Sequence, residues 1–328
     1  MRFYARDKEI ALLRSIEQKS LTTAQMTVIT GRRRIGKTTL LRRVFFEDHA
    51  SGSPVVYLFV GQKNEALLCQ EFISIIESVL GEDFSGMTSF ASLFESVVAL
   101  SEKRHFTLIL DEFSNIALVN SSLVESLKSI WLAHRASCHL NLIACGSLHS
   151  AMTRLFDAAD ALFAGCATQR ISLAPFSIAT LKEILADYNP HYTPDDLLTF
   201  CMITGGVARY VEQLIREEAF TKQRIIRATL GHGSYFLTEG RDMLSDEFGK
   251  DSGTYFSILA AIADGCLSRG EITGRINVEC GGYLDKLERI YNLISRHRPY
   301  LQPDVCILCF RPRRWYLRCR VSDPPRRE

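Results

Sequence analysis

The sequence has no run of the roughly 18 apolar residues that a bilayer span requires. Its opening residues, Met1-Arg2-Phe3-Tyr4-Ala5-Arg6-Asp7-Lys8-Glu9-Ile10, meet charge at once instead of forming an apolar leader. No membrane partner is therefore expected, and a cytoplasmic location is. Net charge is almost absent as well, at +2 over 328 residues. A polycation that coats nucleic acid or membrane is excluded, and any such contact has to be local. Internal repeats and low-complexity linkers are lacking too, so neither an array nor a long tether organises the chain. Ten cysteines are present, but they are scattered through apolar stretches of a long chain, which is not the layout of a disulfide scaffold. Reduced, mostly buried thiols are expected. Cys306 and Cys309 have metal-ligand spacing, yet only Cys319 follows nearby, short of the four ligands of a closed zinc site.

What is present is apolar bulk, 47% of the residues. In a chain longer than the about 250–300 residues at which single cores stop growing, that implies two or three domains. Apolar runs at 26–30, 55–60, 106–111, 140–145 and 168–173 read as strands. Helical periodicity lies between them, as in 65–80, where Leu67, Leu68, Phe72, Ile75, Ile76 and Val79 recur at helix spacing, and in 122–134. Such alternation is the pattern of a parallel sheet covered on both faces. Beyond Pro175 the strand signal stops, and short helices are expected at 178–187, 195–202, 208–218 and 221–230. Three more, at 255–263, 269–273 and 282–290, follow in helix-turn-helix order.

Gly31-Arg32-Arg33-Arg34-Ile35-Gly36-Lys37-Thr38 matches the P-loop pattern, with an apolar strand before it and a helical stretch from Thr39 after it. Gly31 and Gly36 allow the turn that brings backbone N–H groups to phosphate oxygens at a helix N-terminus. Lys37 is the candidate bridge between the β and γ phosphates, and the Thr38 hydroxyl the candidate Mg2+ ligand. The three arginines, Arg32 to Arg34, focus positive potential on the entrance, or contact a neighbouring subunit, or are simply solvated. The second signal is Thr107-Leu108-Ile109-Leu110-Asp111-Glu112. Asp111 ends a buried strand where open parallel sheets bind ligands, and is expected to reach Mg2+ directly or through water. Glu112 is placed to polarise the attacking water as general base. Another strand, 140–145, is expected to lie between the P-loop strand and the acidic one. Ser147 at its end is either a sensor of the γ phosphate or attacking water, or a helix N-cap.

These segments, together with Phe3-Tyr4-Ala5-Arg6, Leu110-Asp111-Glu112-Phe113, Gly146-Ser147, Leu173-Ala174-Pro175-Phe176 and Gly205-Gly206-Val207-Ala208-Arg209-Tyr210, resemble the archaeal-type AAA+ ATPases related to the signal-transducing STAND NTPases. The resemblance runs in motif order from Phe3 to Arg298. It implies an α/β fold, a P-loop NTPase (AAA+-like) parallel sheet with helical lid, followed by a winged-helix domain, with ATP and Mg2+ as nucleotide and metal. The corresponding segments are 1–174, 175–248 and 249–298, with a basic tail at 299–328. Two positions depart from the family. Cys166 stands where members commonly carry an arginine before the last strand, with Arg170 nearby. Ala208 replaces the proline of the Gly-Gly-x-Pro segment. Arg209 could reach the phosphates or form a surface salt bridge.

A winged helix invites DNA binding, but Asp285 and Glu288 beside Lys286 and Arg289 give the helix at 282–290 a mixed charge, which favours packing or protein contact. Phe310-Arg311-Pro312-Arg313-Arg314-Trp315-Tyr316-Leu317-Arg318-Cys319-Arg320 is basic with interleaved aromatics, suited either to nucleic acid or to a disordered tail. Relatives typically continue here into a restriction-endonuclease-like domain, so the tail reads as a truncated or altered remnant. The expected function is Mg2+-dependent ATP binding and hydrolysis that drives a conformational switch, with an unidentified protein partner and oligomerisation left open. The alternative is an ATP-gated regulatory or DNA-binding module that does not hydrolyse.

Overall fold

A computed structural model describes residues 2–48, 52–147, 149–156, 161–290, 294–297 and 300–303. It divides into two compact units, 1–220 and 221–328. In the first unit the elements run α1 (Asp7–Ser20), β1 (Gln25–Gly31), α2 (Lys37–Arg42, continued by a π turn at Arg43–Glu47), β2 (Val55–Phe59), α3 (Glu65–Leu80), α4 (Phe90–Leu100) and β3 (Phe106–Asp111). They continue with α5 (Ile116–Val119), α6 (Ser121–His134), β4 (Leu140–Gly146), α7 (His149–Phe156), β5 (Gln169–Leu173), α8 (Ile178–Tyr188), α9 (Pro194–Thr204) and α10 (Ala208–Arg216).

The five strands pair in parallel in the order β2-β3-β4-β1-β5. As the sequence led us to expect, β4 lies between the P-loop strand and the acidic one. β3 and β4 are buried along their whole length, because alternate residues feed separate cores. Val28, Leu108, Leu110, Leu142 and Ala144 join the core that also holds Phe72 of α3, Phe94 of α4 and Trp131 of α6. Ile29, Ile109, Ile143 and Cys145 join the opposite core with Leu13 of α1 and Leu40 and Leu41 of α2. Each such aliphatic side chain contributes roughly 1.5–3 kcal/mol by leaving water. Helix starts are fixed locally: Asn64 accepts from Leu67 N at 2.9 Å to open α3, Ser177 from Thr180 N at 3.1 Å to open α8, and Thr193 with Asp196 forms a reciprocal cap ahead of Pro194 at α9.

The second unit contains α11 (Lys222–Leu230), α12 (Tyr235–Phe248), α13 (Ser252–Ala263), α14 (Arg269–Ile276) and α15 (Gly281–Asp285, continued by a π turn at Lys286–Ile290). An antiparallel pair follows, β6 (Ile294–His297) and β7 (Tyr300–Pro303). Thus α11 and α12, inside the expected 175–248 segment, group with the residues that follow them. Tyr255, Ile258, Ile272, Leu284 and Leu287 belong to the core of this unit. Ions pair on its surface as Arg269 with Glu279 and Arg275 with Asp264. The seven described cysteines are free thiols and five are buried. Cys306, Cys309, Cys319 and the basic run 310–320 lie outside the described residues. No described helix is long and apolar enough to cross a membrane.

Candidate nucleotide site

The carboxyl ends of β1, β3 and β4 converge, and each delivers one part of the site. β1 ends in the P-loop, where Gly31 has φ +153° and Gly36 φ +99°. A Cβ on Gly31 would stand 2.9 Å from Leu173 O on the neighbouring strand, so this turn and the β5 end cannot both keep their places with a larger residue there. Ile35 is buried at 1% exposure and anchors the loop from beneath, while Arg32, Thr38 and Thr39 are exposed and Arg33 and Arg34 half-buried. Lys37, only 7% exposed, donates to Gly31 O at 2.9 Å and to Arg32 O at 3.1 Å. Its ammonium therefore lies folded against the inner rim of the loop at the start of α2, a place whose amide groups and dipole favour an anion.

β3 brings Asp111, 4% exposed. Its Oδ2 accepts from Thr38 Oγ1 at 3.0 Å and from the hydroxyl of Tyr57, and its Oδ1 accepts from Glu112 N at 3.0 Å. Burial, and then the bond to Asp111, push the Tyr57 phenol above its ordinary pKa. Burial, and next the charge of Asp111, likewise raise Cys145 well above the usual thiol range, so it remains a neutral neighbour of the site. Glu112 turns through the left-handed region at φ 54°. That turn is held by Phe113, buried at 1% exposure and packed on Phe156 and Phe163 with ring centroids 5.5 Å away in each case.

β4 supplies Ser147, whose hydroxyl lies 2.9 and 2.8 Å from the two Glu112 carboxylate oxygens. Lys37, Thr38, Asp111, Glu112 and Ser147 are thus gathered in one place. The sequence reasoning missed Tyr57. Its register partner is Ile109, two residues short of Asp111, and the intervening rise of about 6.6 Å is a distance that a phenol spans. A tyrosine on the strand beside an acidic strand end was the available signal.

The other motif segments pack around the loop. Arg209 N donates to Arg34 O at 3.2 Å, and Phe176 N donates to Gly206 O at 2.8 Å. Arg6 donates to Ala174 O at 2.6 Å and lies over the Phe176 ring. The Arg209 guanidinium pairs with Glu212 at 3.1 Å, the surface arrangement. Arg170 donates to Phe156 O at 2.6 Å. It lies three residues, about 10 Å, below Leu173, the partner of Gly31. Cys166 is buried at 1% exposure.

A five-stranded parallel sheet with a phosphate loop, a buried acidic strand end and a carboxylate beside it defines a P-loop ATPase of the AAA+-like kind. The chain belongs to the family of ATPase domains found predominantly in Archaea, whose model matches residues 3–214. The Walker-type ATPase of Pyrococcus abyssi has a similar structure, with TM-score 0.65 and 18% identity over 94% of this chain and 95% of that one. So does the ORC2 protein of Aeropyrum pernix in its ADPNP–ADP complexes, with TM-score 0.59 and 16% identity over 92% and 89%. No curated protein matches the chain.

Proposed function

We propose that the chain binds ATP with Mg2+ at this site, hydrolyses it, and uses the cycle as a conformational switch. The observation that carries the reading is the convergence of Lys37, Thr38, Asp111, Glu112 and Ser147 at three adjacent strand ends, with Asp111 already bonded to Thr38. The donor set fits the group: Thr38 and Asp111 offer the hard oxygens that Mg2+ prefers, and Mg2+ would supply charge neutralisation at the phosphates. Residues 31–39 hold the triphosphate through backbone N–H groups, and Lys37 Nζ exchanges its carbonyl partners for phosphate oxygens. Glu112 accepts a proton from the attacking water. Ser147 orients that carboxylate through its hydroxyl.

Coupling to the rest of the chain is supported by the hydrogen bond from Arg209 N, at the start of α10, to Arg34 O in the loop. A shift of the loop on nucleotide binding is felt directly by α10. We assign 175–248 as the moving helical segment, of which α8–α10 fall in the first unit and α11–α12 in the second, and 249–298 as a winged helix, on the order α13-α14-α15-β6, with β7 just beyond its end. Exposed Asp285 beside Lys286 favours a protein over DNA as its partner. A second reading, an ATP-gated module without turnover, is favoured by one observation: Arg170, near the position of the family's arginine, and Arg209, the other arginine considered for the phosphates, are bonded to Phe156 O and to Glu212. Calorimetric titration tests the binding step. ATP with Mg2+ should bind wild type and lose at least tenfold in affinity to Lys37→Ala; equal affinities would remove the site.

A further inference from the structure

Asp111 Oδ2 accepts two hydroxyl hydrogens, from Thr38 Oγ1 at 3.0 Å and from Tyr57, while Oδ1 accepts from Glu112 N at 3.0 Å. A carboxylate oxygen offers about two lone-pair directions, so Oδ2 is filled and the carboxylate plane is pinned on both sides. Two of the three donors belong to the site itself. The third comes from β2, the sheet's edge strand, which contributes no other group to the site. The Tyr57 ring is half-buried, packs edge-on against Phe46 at 6.5 Å, and is held by the pairing of β2 with β3. It is therefore a rigid donor, unlike a solvent molecule.

From this geometry, and resting on the reading of Asp111 as an Mg2+ ligand, we infer that Tyr57 is a positioning residue for the metal: its hydroxyl fixes which Asp111 lone pair faces the cation. Outer partners of this kind hold a ligating carboxylate in one orientation, and their loss typically weakens metal binding by about 10- to 100-fold. In this role Tyr57 acts through Asp111, to which its hydroxyl is bonded, so its effect is expected on the metal.

The test is Mn2+ binding to the full chain in the presence of ADP, read by electron paramagnetic resonance, for wild type, Tyr57→Phe and Asp111→Asn. Metal-free ADP affinity is measured alongside. Tyr57→Phe keeps the ring and its packing against Phe46, and thermal melting checks that it folds. The expected result is Mn2+ affinity lowered about tenfold in Tyr57→Phe with metal-free ADP affinity unchanged. Wild-type Mn2+ affinity in Tyr57→Phe, with a clear loss in Asp111→Asn, overturns the inference and leaves the site reading intact. Wild-type Mn2+ affinity in both variants overturns the site reading itself. Equal weakening of ADP binding with and without metal also overturns the inference, because it marks a structural role.

Discussion

Replacing Gly206 by alanine should destabilise the first unit by about 1.5–2.5 kcal/mol, and the neighbouring Gly205→Ala by only about 1 kcal/mol. Both glycines have positive φ, +74° and +52°, so each alanine incurs the left-handed penalty of roughly 1–2 kcal/mol, partly offset by a less flexible unfolded chain. The difference lies in the surroundings. A Cβ on Gly206 would stand 2.4 Å from Phe176 O and 3.0 Å from Phe176 N, whereas one on Gly205 meets nothing within 4 Å. The backbone around Phe176 must retreat, which weakens the Phe176 N to Gly206 O hydrogen bond of 2.8 Å, worth about 0.5–1.5 kcal/mol. Urea unfolding followed by the fluorescence of buried Trp131, in a Trp315→Phe background, gives both values. A Gly206→Ala loss within about 0.5 kcal/mol of the Gly205→Ala loss would refute the argument that the Ala174–Phe176 and Gly205–Gly206 segments lie back to back.

Ser147→Ala removes a hydrogen bond to a charged group, about 1.5–3 kcal/mol, and should lower kcat for ATP by about 10- to 100-fold with little change in KM; steady-state kinetics check it. Thr27 Oγ1 is buried with no hydrogen-bond partner, so Thr27→Val should raise stability by about 1 kcal/mol, and a lower melting temperature would contradict this. Hydrogen bonds first from His134 and then from Ser137 hold the Glu102 carboxyl below its usual range. The stability it contributes is then present above its unfolded pKa of about 4.3 and lost as pH falls through the lower folded value. The melting-temperature gap between wild type and Glu102→Gln should accordingly close below about pH 4, and a gap that widens there would be the wrong sign.

The sheet was legible because its strands are short apolar runs bounded by polar turns, and β4 could be put between β1 and β3 because an extra strand candidate intervened between the two motifs. The acidic pair was legible from its place after four mostly apolar residues. Tyr57 was not, since it bonds Asp111 only once β2 and β3 are in register, and register is a property of pairing rather than of either strand alone. Nor did the charged stretch Asp7–Ser20 stand out as a helix: only a narrow stripe with Leu13 and Ile16 is buried. The grouping of α11 with the second unit was equally hidden, because a short amphipathic helix carries no sign of which core its apolar face will join.

The measurement that tests the central claim most directly is phosphate release from ATP with Mg2+ by the purified chain, beside Glu112→Gln and Lys37→Ala. The account predicts turnover by wild type, its loss in both variants, and ATP binding retained by Glu112→Gln. Wild-type release no faster than that of Glu112→Gln, with ATP bound by both, would contradict hydrolysis at this site.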